Sequence, residues 1–197
     1  RLDDPGSILA CAKHYVAYGA AEAGRDYNTV DVPERTLRQI YLPPFEAAVD
    51  EGVATLMSAF NTLAGVPSTA NPFTLDRILR REWGFQGFVV SDYASVRETI
   101  AHGIASDEAT AARKSLTAGL GMDMATGIFL SQIPELVKQG VVPRATLDDA
   151  VRRVLRAKLA LGLFDKPYSD ESTRPPAAEG AELARTAAEE SLVLLKN

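Results

Sequence analysis

Short apolar runs alternate with longer amphipathic ones along most of this chain, and that alternation limits its folding more than any other feature. The runs SILACAKHY, VATLMSAFN and GFVVS are apolar on both faces, and the stretches between them carry helical periodicity. Strand, helix, strand, helix in this rhythm predicts parallel βα units whose strands are covered on both sides.

The first strand is expected from Ile8 to about Lys13, followed by a polar Gly/Ala/Asn loop through Asn28. A helical stretch, PERTLRQIYLPPFEAAVDEG, starts at Pro33, is interrupted at Pro43 and Pro44, and closes at Gly52. The second strand runs from Val53 to Phe60. TLDRILRREWG reads as a helix ended by Gly84. The third strand covers Phe88 to Ser91, with a short helix near Val96 to Ile100. In SDEATAARKSLTAGL, Ser106 is the expected N-cap, acids follow it, and the helix ends at Gly119 or Gly121. GMDMAT is a fourth strand candidate, and FLSQIPELVKQG is a helix closed by Gly140. Thr146 and Asp149 resemble a capping box that opens a helix with Leu147, Val151, Val154, Leu155, Leu159 and Leu161 on its apolar positions.

About four βα units are therefore visible. A closed (β/α)8 barrel needs eight and about 250 residues, so half of such a barrel fits the pattern. A doubly wound open sheet is the competitor, but no GxGxxG or GxxxxGK[ST] loop follows any strand. After Phe164 the composition shifts to DKPYSDESTRPPAAEG, a Pro-rich polar linker over 165–179. Residues 180–197 read as a helix leading into a new strand, the start of a second domain. The chain opens at Arg1 without a methionine and stops inside an apolar run, as an excerpt from a longer protein would.

At 197 residues the chain can bury a sizeable core. Lys plus Arg total 21 against 26 for Asp plus Glu, with no long run of either sign, which argues against nucleic acid as a partner, since phosphate binding needs a clustered positive surface. No run approaches the roughly 20 apolar residues of a membrane span. Cys11 is the single cysteine, so no intrachain disulfide can form, and its apolar setting predicts a small buried thiol. Neither HxxxH nor Cys/His spacing occurs, and no metal or other cofactor is expected. GxSxG is missing too, which counts against an esterase.

In parallel α/β folds the ligand meets the C-terminal ends of the strands. That rule selects Lys13 and His14, Phe60 and Asn61, Asp92, and Asp123. An acid, a cation, an imidazole and an amide at one mouth suit a polyhydroxylated ligand. Plainer roles compete. Ser91 and Asp92 are both good helix caps, Lys13 and His14 could be an exposed strand end, Met57 could be core, and Arg25 with Asp26 could be a surface ion pair.

Taken together, CAKHYVAYG, GRDYNTVDVPERTLRQIYLPPFEAAV, MSAFN, LRREWGFQGFVVSDY, AGLGMDM, LGLFDKPY and AEESLVLLKN resemble glycoside hydrolase family 3, in its bacterial β-glucosidase branch. The segments occur in order and cover nearly the whole chain. The resemblance implies the C-terminal half of a TIM-type barrel in residues 1–164, then a linker and the start of an α/β sandwich domain. It implies that Asp92 is the nucleophile of a retaining hydrolase, attacking the anomeric carbon to form a glycosyl ester that water then cleaves. Lys13 and His14 would bind hydroxyls of the terminal sugar, Met57 would line the pocket, and Tyr93 would flank the nucleophile. Lys13 beside Asp92 would keep it ionised.

The expected substrate is a terminal β-linked glucosyl unit on an oligosaccharide or aryl glucoside, with a β-xylosidase as the nearest rival. From another class, the rival is a non-catalytic half barrel that binds sugar or self-associates to cover open sheet edges, so a homo-oligomer stays open. The family likeness also implies a periplasmic or secreted enzyme. Many relatives have tyrosine where Phe60 stands, so a hydroxyl that could orient the nucleophile is missing here. After Lys13 and His14 the chain reads YVAYGAAE, unlike the KHFPGHGDT loop of the N-acetylglucosaminidase branch. In the β-glucosidase branch the acid/base is a glutamate of the second domain, which this chain barely enters.

Overall fold

The structure, a computed structural model, describes residues 8–168 and 180–196. Two units, Arg1–Phe164 and Asp165–Asn197, are each compact. The first holds a parallel three-stranded sheet in the order β1 (Cys11–Tyr15), β3 (Thr55–Ser58), β6 (Phe88–Val90). Met122 adds a parallel bridge to Val90 beyond β6. The fourth strand position exists, but as one bridge rather than the strand read in GMDMAT. Backbone bonds from Ser91 N to Met122 O and from Gly121 N and Met122 N to Val89 O hold it there.

A small second sheet, β2 (Thr29–Val30), β4 (Thr62–Leu63) and β5 (Val66–Pro67), pairs loop segments. β2 runs parallel to β4, and β4 antiparallel to β5.

Helices separate the strands as the alternation predicts. After β2 come α1 (Glu34–Thr36), a π-type turn Leu37–Tyr41 and α2 (Pro43–Asp50). The helical run breaks at Leu42, as the prolines predict, and Pro43 and Pro44 occupy the first turn of α2, where a missing N–H costs nothing. A wide π helix, Phe73–Glu82, leads into β6 and buries Thr74, Leu75, Ile78 and Leu79. The helices α3 (Ser95–Ala101), α4 (Glu108–Ala118), α5 (Ile128–Lys138) and α6 (Arg144–Ala160) follow.

Two caps differ from expectation. Asp107, not Ser106, caps α4: its carboxylate accepts from Thr110 N at 2.7 Å, and the Ser106 hydroxyl donates to it. α6 opens after Pro143, whose fixed φ starts a helix without a side-chain cap, so the Thr146 and Asp149 box is not formed.

The core fills the face between sheet and helices, where Tyr15, Leu56 and Val89 pack with Leu75, Ile78, Leu79, Val96, Leu116 and Ile128. Strand side chains alternate, so Cys11, Thr55 and Phe88, in register across three strands, share the opposite face. Cys11 is exposed rather than buried, because β1 is the edge of the sheet and has no strand outside it. Along α6 the buried positions are Ala150 and Ala157, whereas Val151, Leu155 and Leu159 of the predicted apolar stripe are exposed.

In the second unit α7 spans Ala181–Ser191. Leu192 to Leu195 are exposed and pair with no strand among the described residues, so the strand expected there is not formed. The linker read at 165–179 falls mostly outside the described residues. No helix among those described is long and apolar enough to cross a membrane.

Candidate active site

β1, β3 and β6 point the same way, so their C-terminal ends form one mouth. At that mouth the sheet brings together two of the residues singled out from sequence. His14 Nε2 stands 3.3 Å from Asp92 Oδ2. The two side chains come from β1 and from the end of β6, with β3 between them.

Asp92 is not a helix cap. α3 begins three residues later, its cap position is Ala94 in the left-handed region at φ 57°, and no side chain caps it. One carboxylate oxygen, Oδ1, accepts the N–H of Tyr93 at 2.7 Å. The other, Oδ2, is shielded from solvent and makes no hydrogen bond, since His14 Nε2 is near it but out of line. A buried carboxylate oxygen without a donor is costly unless something else meets it. Here it is aimed at the imidazole across an open mouth, with the His14 side chain 28% and that of Asp92 12% exposed.

Ser91 does not cap a helix either. It is fully buried, its hydroxyl accepts from Met124 N at 2.8 Å and donates to the Asp92 carbonyl at 3.0 Å. Ala94 N also donates to Met124 O, and Ser95 N to Asp92 O. These bonds fix the turn that carries the carboxylate to the Met122–Met124 segment. Under α3, a buried chain of hydroxyls joins Ser58 to Thr69 at 2.9 Å and Thr69 to Ser95 at 2.7 Å.

The remaining candidates divide. Lys13 is exposed and forms no ion pair or hydrogen bond among the described residues, so the side chain that meets Asp92 is His14 and not Lys13. Met57 is partly buried on β3, in register with Val90, two residues before Asp92. Tyr93 is 67% exposed beside the carboxylate. Asn61 is spent on backbone, its amide donating to Val16 O and Thr62 O. Asp123 turns Oδ2 to the start of α5, accepting from the Thr126 hydroxyl and Phe129 N, while its buried Oδ1 makes no hydrogen bond. Arg25 and Asp26 are not ion-paired with each other; Asp26 accepts from the Tyr18 hydroxyl.

Sequence reading selected Phe60 but missed the two tyrosines that gather with it beside this mouth. Tyr18 meets His14 edge to face at 5.3 Å, and Phe60 lies against both Tyr18 and Tyr27. The signal was the cluster of tyrosines in YVAYGAAEAGRDYN, which composition alone marks only as polar loop.

Fold and site together define a parallel βα barrel domain with a buried carboxylate at the strand mouth, met by a histidine. The model of the glycosyl hydrolase family 3 N terminal domain matches residues 3–157, and the chain belongs to that family. It is 43% identical to a periplasmic beta-glucosidase of Salmonella typhimurium, over 98% of this chain and 26% of that protein. It is 37% identical to a putative beta-xylosidase of Formosa agariphila, over 96% of this chain and 26% of the relative. The beta-glucosidase of Listeria innocua crystallised with glucose superposes with a TM-score of 0.85 at 41% identity, over 96% of this chain and 27% of that one. The chain is thus a fragment, about a quarter the length of these relatives, and its sheet is an arc of a TIM-like barrel.

Proposed function

We propose that this chain is the nucleophile-bearing part of a retaining, exo-acting β-glucosidase that removes terminal non-reducing β-D-glucosyl residues. The observation that carries the reading is the Asp92 carboxylate itself. It ends a buried strand, caps nothing, and keeps one oxygen free of hydrogen bonds toward His14.

Asp92 Oδ2 attacks the anomeric carbon as the bond to the leaving oxygen breaks, giving a glycosyl ester that water hydrolyses with net retention. The Tyr93 N–H on Oδ1 fixes which oxygen is free to attack. His14, at the rim, hydrogen-bonds hydroxyls of the same sugar, and exposed Lys13 reaches them from the sheet edge. Met57 supplies an apolar floor and Tyr93 a ring at the entrance. The acid that protonates the leaving group comes from the second domain, outside this chain.

The test is trapping with a 2-fluoro aryl β-glucoside on the full-length protein, whose good leaving group lessens the need for the acid. A glycosyl adduct on the Asp92 peptide is expected; an adduct on another acid, or none, sinks the assignment. The Formosa relatives support a β-xylosidase as the second reading. The ratio of kcat/KM for aryl β-glucoside and aryl β-xyloside separates the two. Periplasmic or secreted location is proposed from the Salmonella relative.

A further inference from the structure

The loop between β1 and β2 carries three features that the hydrolytic reading leaves unused. It contributes Tyr18 and Tyr27 to a row of aromatic rings that starts at His14 in the catalytic mouth, passes Phe60 after β3, and runs outward. His14 touches Tyr18 edge-on at 5.3 Å, Tyr18 lies 5.9 Å from Phe60, and Phe60 lies 4.4 Å from Tyr27 with the rings tilted by 48°. The outer ring, Tyr27, is 43% exposed.

The second feature is backbone strain. Tyr27 sits at φ 63°, in the left-handed region, where a bulky side chain is unusual and costs on the order of 1 kcal/mol. The loop holds it there with Asn28: its N–H donates to Arg25 O, and its amide donates to Glu22 O at 3.0 Å. Such a conformation aims the ring at Phe60 and leaves it open to solvent.

The third feature is a polar rim. Tyr18, Gly19, Ala21, Gly24, Arg25 and Asp26 line a cleft in the same loop. Burial, and after it the charges of Glu98, Asp26 and Asp92, hold the Tyr27 phenol above its ordinary range, so it stays a neutral donor. An apolar ring beside placed donors and acceptors matches a pyranose, whose C–H face is apolar and whose edge is hydroxylated.

We propose that Tyr27, backed by Phe60 and Tyr18, is the platform for the leaving-group sugar, the unit beyond the bond that Asp92 cleaves. The inference rests on the glycosidase reading. The reacting sugar belongs to His14 and Asp92, and Tyr27 lies three ring contacts from His14 on the solvent side, where an exo-acting enzyme must place the rest of its substrate. Stacking on the ring, rather than the phenol hydroxyl, carries the contact.

The experiment uses the full-length protein with Asp92→Asn, which binds without reacting, titrated calorimetrically with glucose and with a β-linked glucose disaccharide. The disaccharide is expected to bind about tenfold more tightly than glucose, the scale of one aromatic contact. Adding Tyr27→Ala should erase that advantage, and Tyr27→Phe should keep it. In the reactive protein, Tyr27→Ala should lower the preference for the disaccharide over methyl β-glucoside, in kcat/KM, by a similar factor. If Tyr27→Ala leaves the disaccharide advantage intact, or weakens glucose and disaccharide equally, the platform assignment is overturned and the glycosidase reading stands. Failure of glucose itself to bind, with no adduct on Asp92, overturns both.

Discussion

Gly87 is the position where one added methyl group tests the link between sheet geometry and the site. A Cβ built there would lie 1.9 Å from Ala54 O, 2.7 Å from Phe85 Cζ and 2.8 Å from Ala54 C. An ordinary carbon to oxygen contact is about 3.3 Å, so the overlap with Ala54 O is about 1.4 Å. Two of the three clashing atoms are backbone, which cannot swing aside as a flexible side chain would. Relief requires β6 to move away from β3, against the register Thr55 to Phe88, Leu56 to Val89 and Met57 to Val90. Overpacking costs about 1–3 kcal/mol, and a rigid neighbour puts Gly87→Ala near 3. The displaced strand is the one that ends at Asp92, and a misplacement of about 1 Å at a reacting group costs roughly a hundredfold in rate. Gly84 is the control. It takes φ 67° after the helix Phe73–Glu82, but its Cβ would meet nothing within 4 Å. Gly84→Ala should therefore cost only the left-handed strain, about 1–2 kcal/mol, and keep its turnover. Both variants of the full-length protein would be followed by urea unfolding of the barrel domain and by aryl glucoside hydrolysis. A Gly87→Ala protein with unchanged unfolding midpoint and turnover would refute the argument.

Asp92→Asn should lower turnover about a thousandfold or more while the protein still binds glucose, as read by kinetics and calorimetry; turnover within tenfold of the wild type would exclude a nucleophile. Ser91→Ala leaves the Met124 N–H without its acceptor, which costs about 1–3 kcal/mol in the interior and loosens the Asp92 turn. It should reduce kcat more than it raises KM, and Ser91→Thr should recover part of the loss if the site has room for the methyl. Tyr15 is buried with its hydroxyl donating to Thr74 O at 3.0 Å, so Tyr15→Phe should cost about 1 kcal/mol near neutral pH. Burial first, and the charge of Glu82 second, push the Tyr15 phenol well above its ordinary range. The unfolded phenol ionises near pH 10 while the folded one stays protonated, so the unfolded state binds fewer protons above that pH. Stability from this group is full below about pH 10 and falls above it, by up to about 1.4 kcal/mol per unit. Tyr15→Phe should flatten that alkaline limb in pH-dependent unfolding; an unchanged limb would mean the phenol is not what drives it.

The order of strands and helices was legible because period and breakers are local. Gly84, Gly119 and Gly140 all take positive φ where the helices were read to end. Elements that depend on distant partners were less legible. GMDMAT forms only one bridge, and Cys11 is exposed because burial of a strand is decided by what lies beside it, not by its own composition. Capping choices among adjacent candidates also escaped, since Ser106 and Asp107 are equally good caps and only the backbone angle of Asp107 decides. At the site, Asp92 and His14 were readable as strand ends. The split between Lys13 and His14 was not, because the register of β1 against β3 shifts between Ala12 and Tyr15, and no local pattern announces that irregularity. The Ser91 bonds join segments 33 residues apart, and the Tyr27 ring contact joins the loop after β1 to Phe60 beyond β3. No local pattern encodes either.

The geometry of the His14 and Asp92 pair is a property of the sheet rather than of either side chain. β1 and β6 are not neighbours; β3 lies between them, so their backbones are about two strand spacings, or roughly 9.6 Å, apart. The reactive atoms nonetheless close to 3.3 Å. They can do so because the two side chains lean inward over the end of β3, from a sheet anchored there by Ala59 N bonded to Tyr15 O and by the Asn61 amide bonded to Val16 O. The Asn61 amide, which looked like a sugar ligand in the sequence, thus serves the site by tying β3 to β1. Ser91 does the same on the other side, tying the end of β6 to Met124. Two polar residues outside the pair, Asn61 and Ser91, set the distance between His14 and Asp92. That is why a close backbone approach at Gly87, at the opposite end of β6, is expected to be felt at the carboxylate.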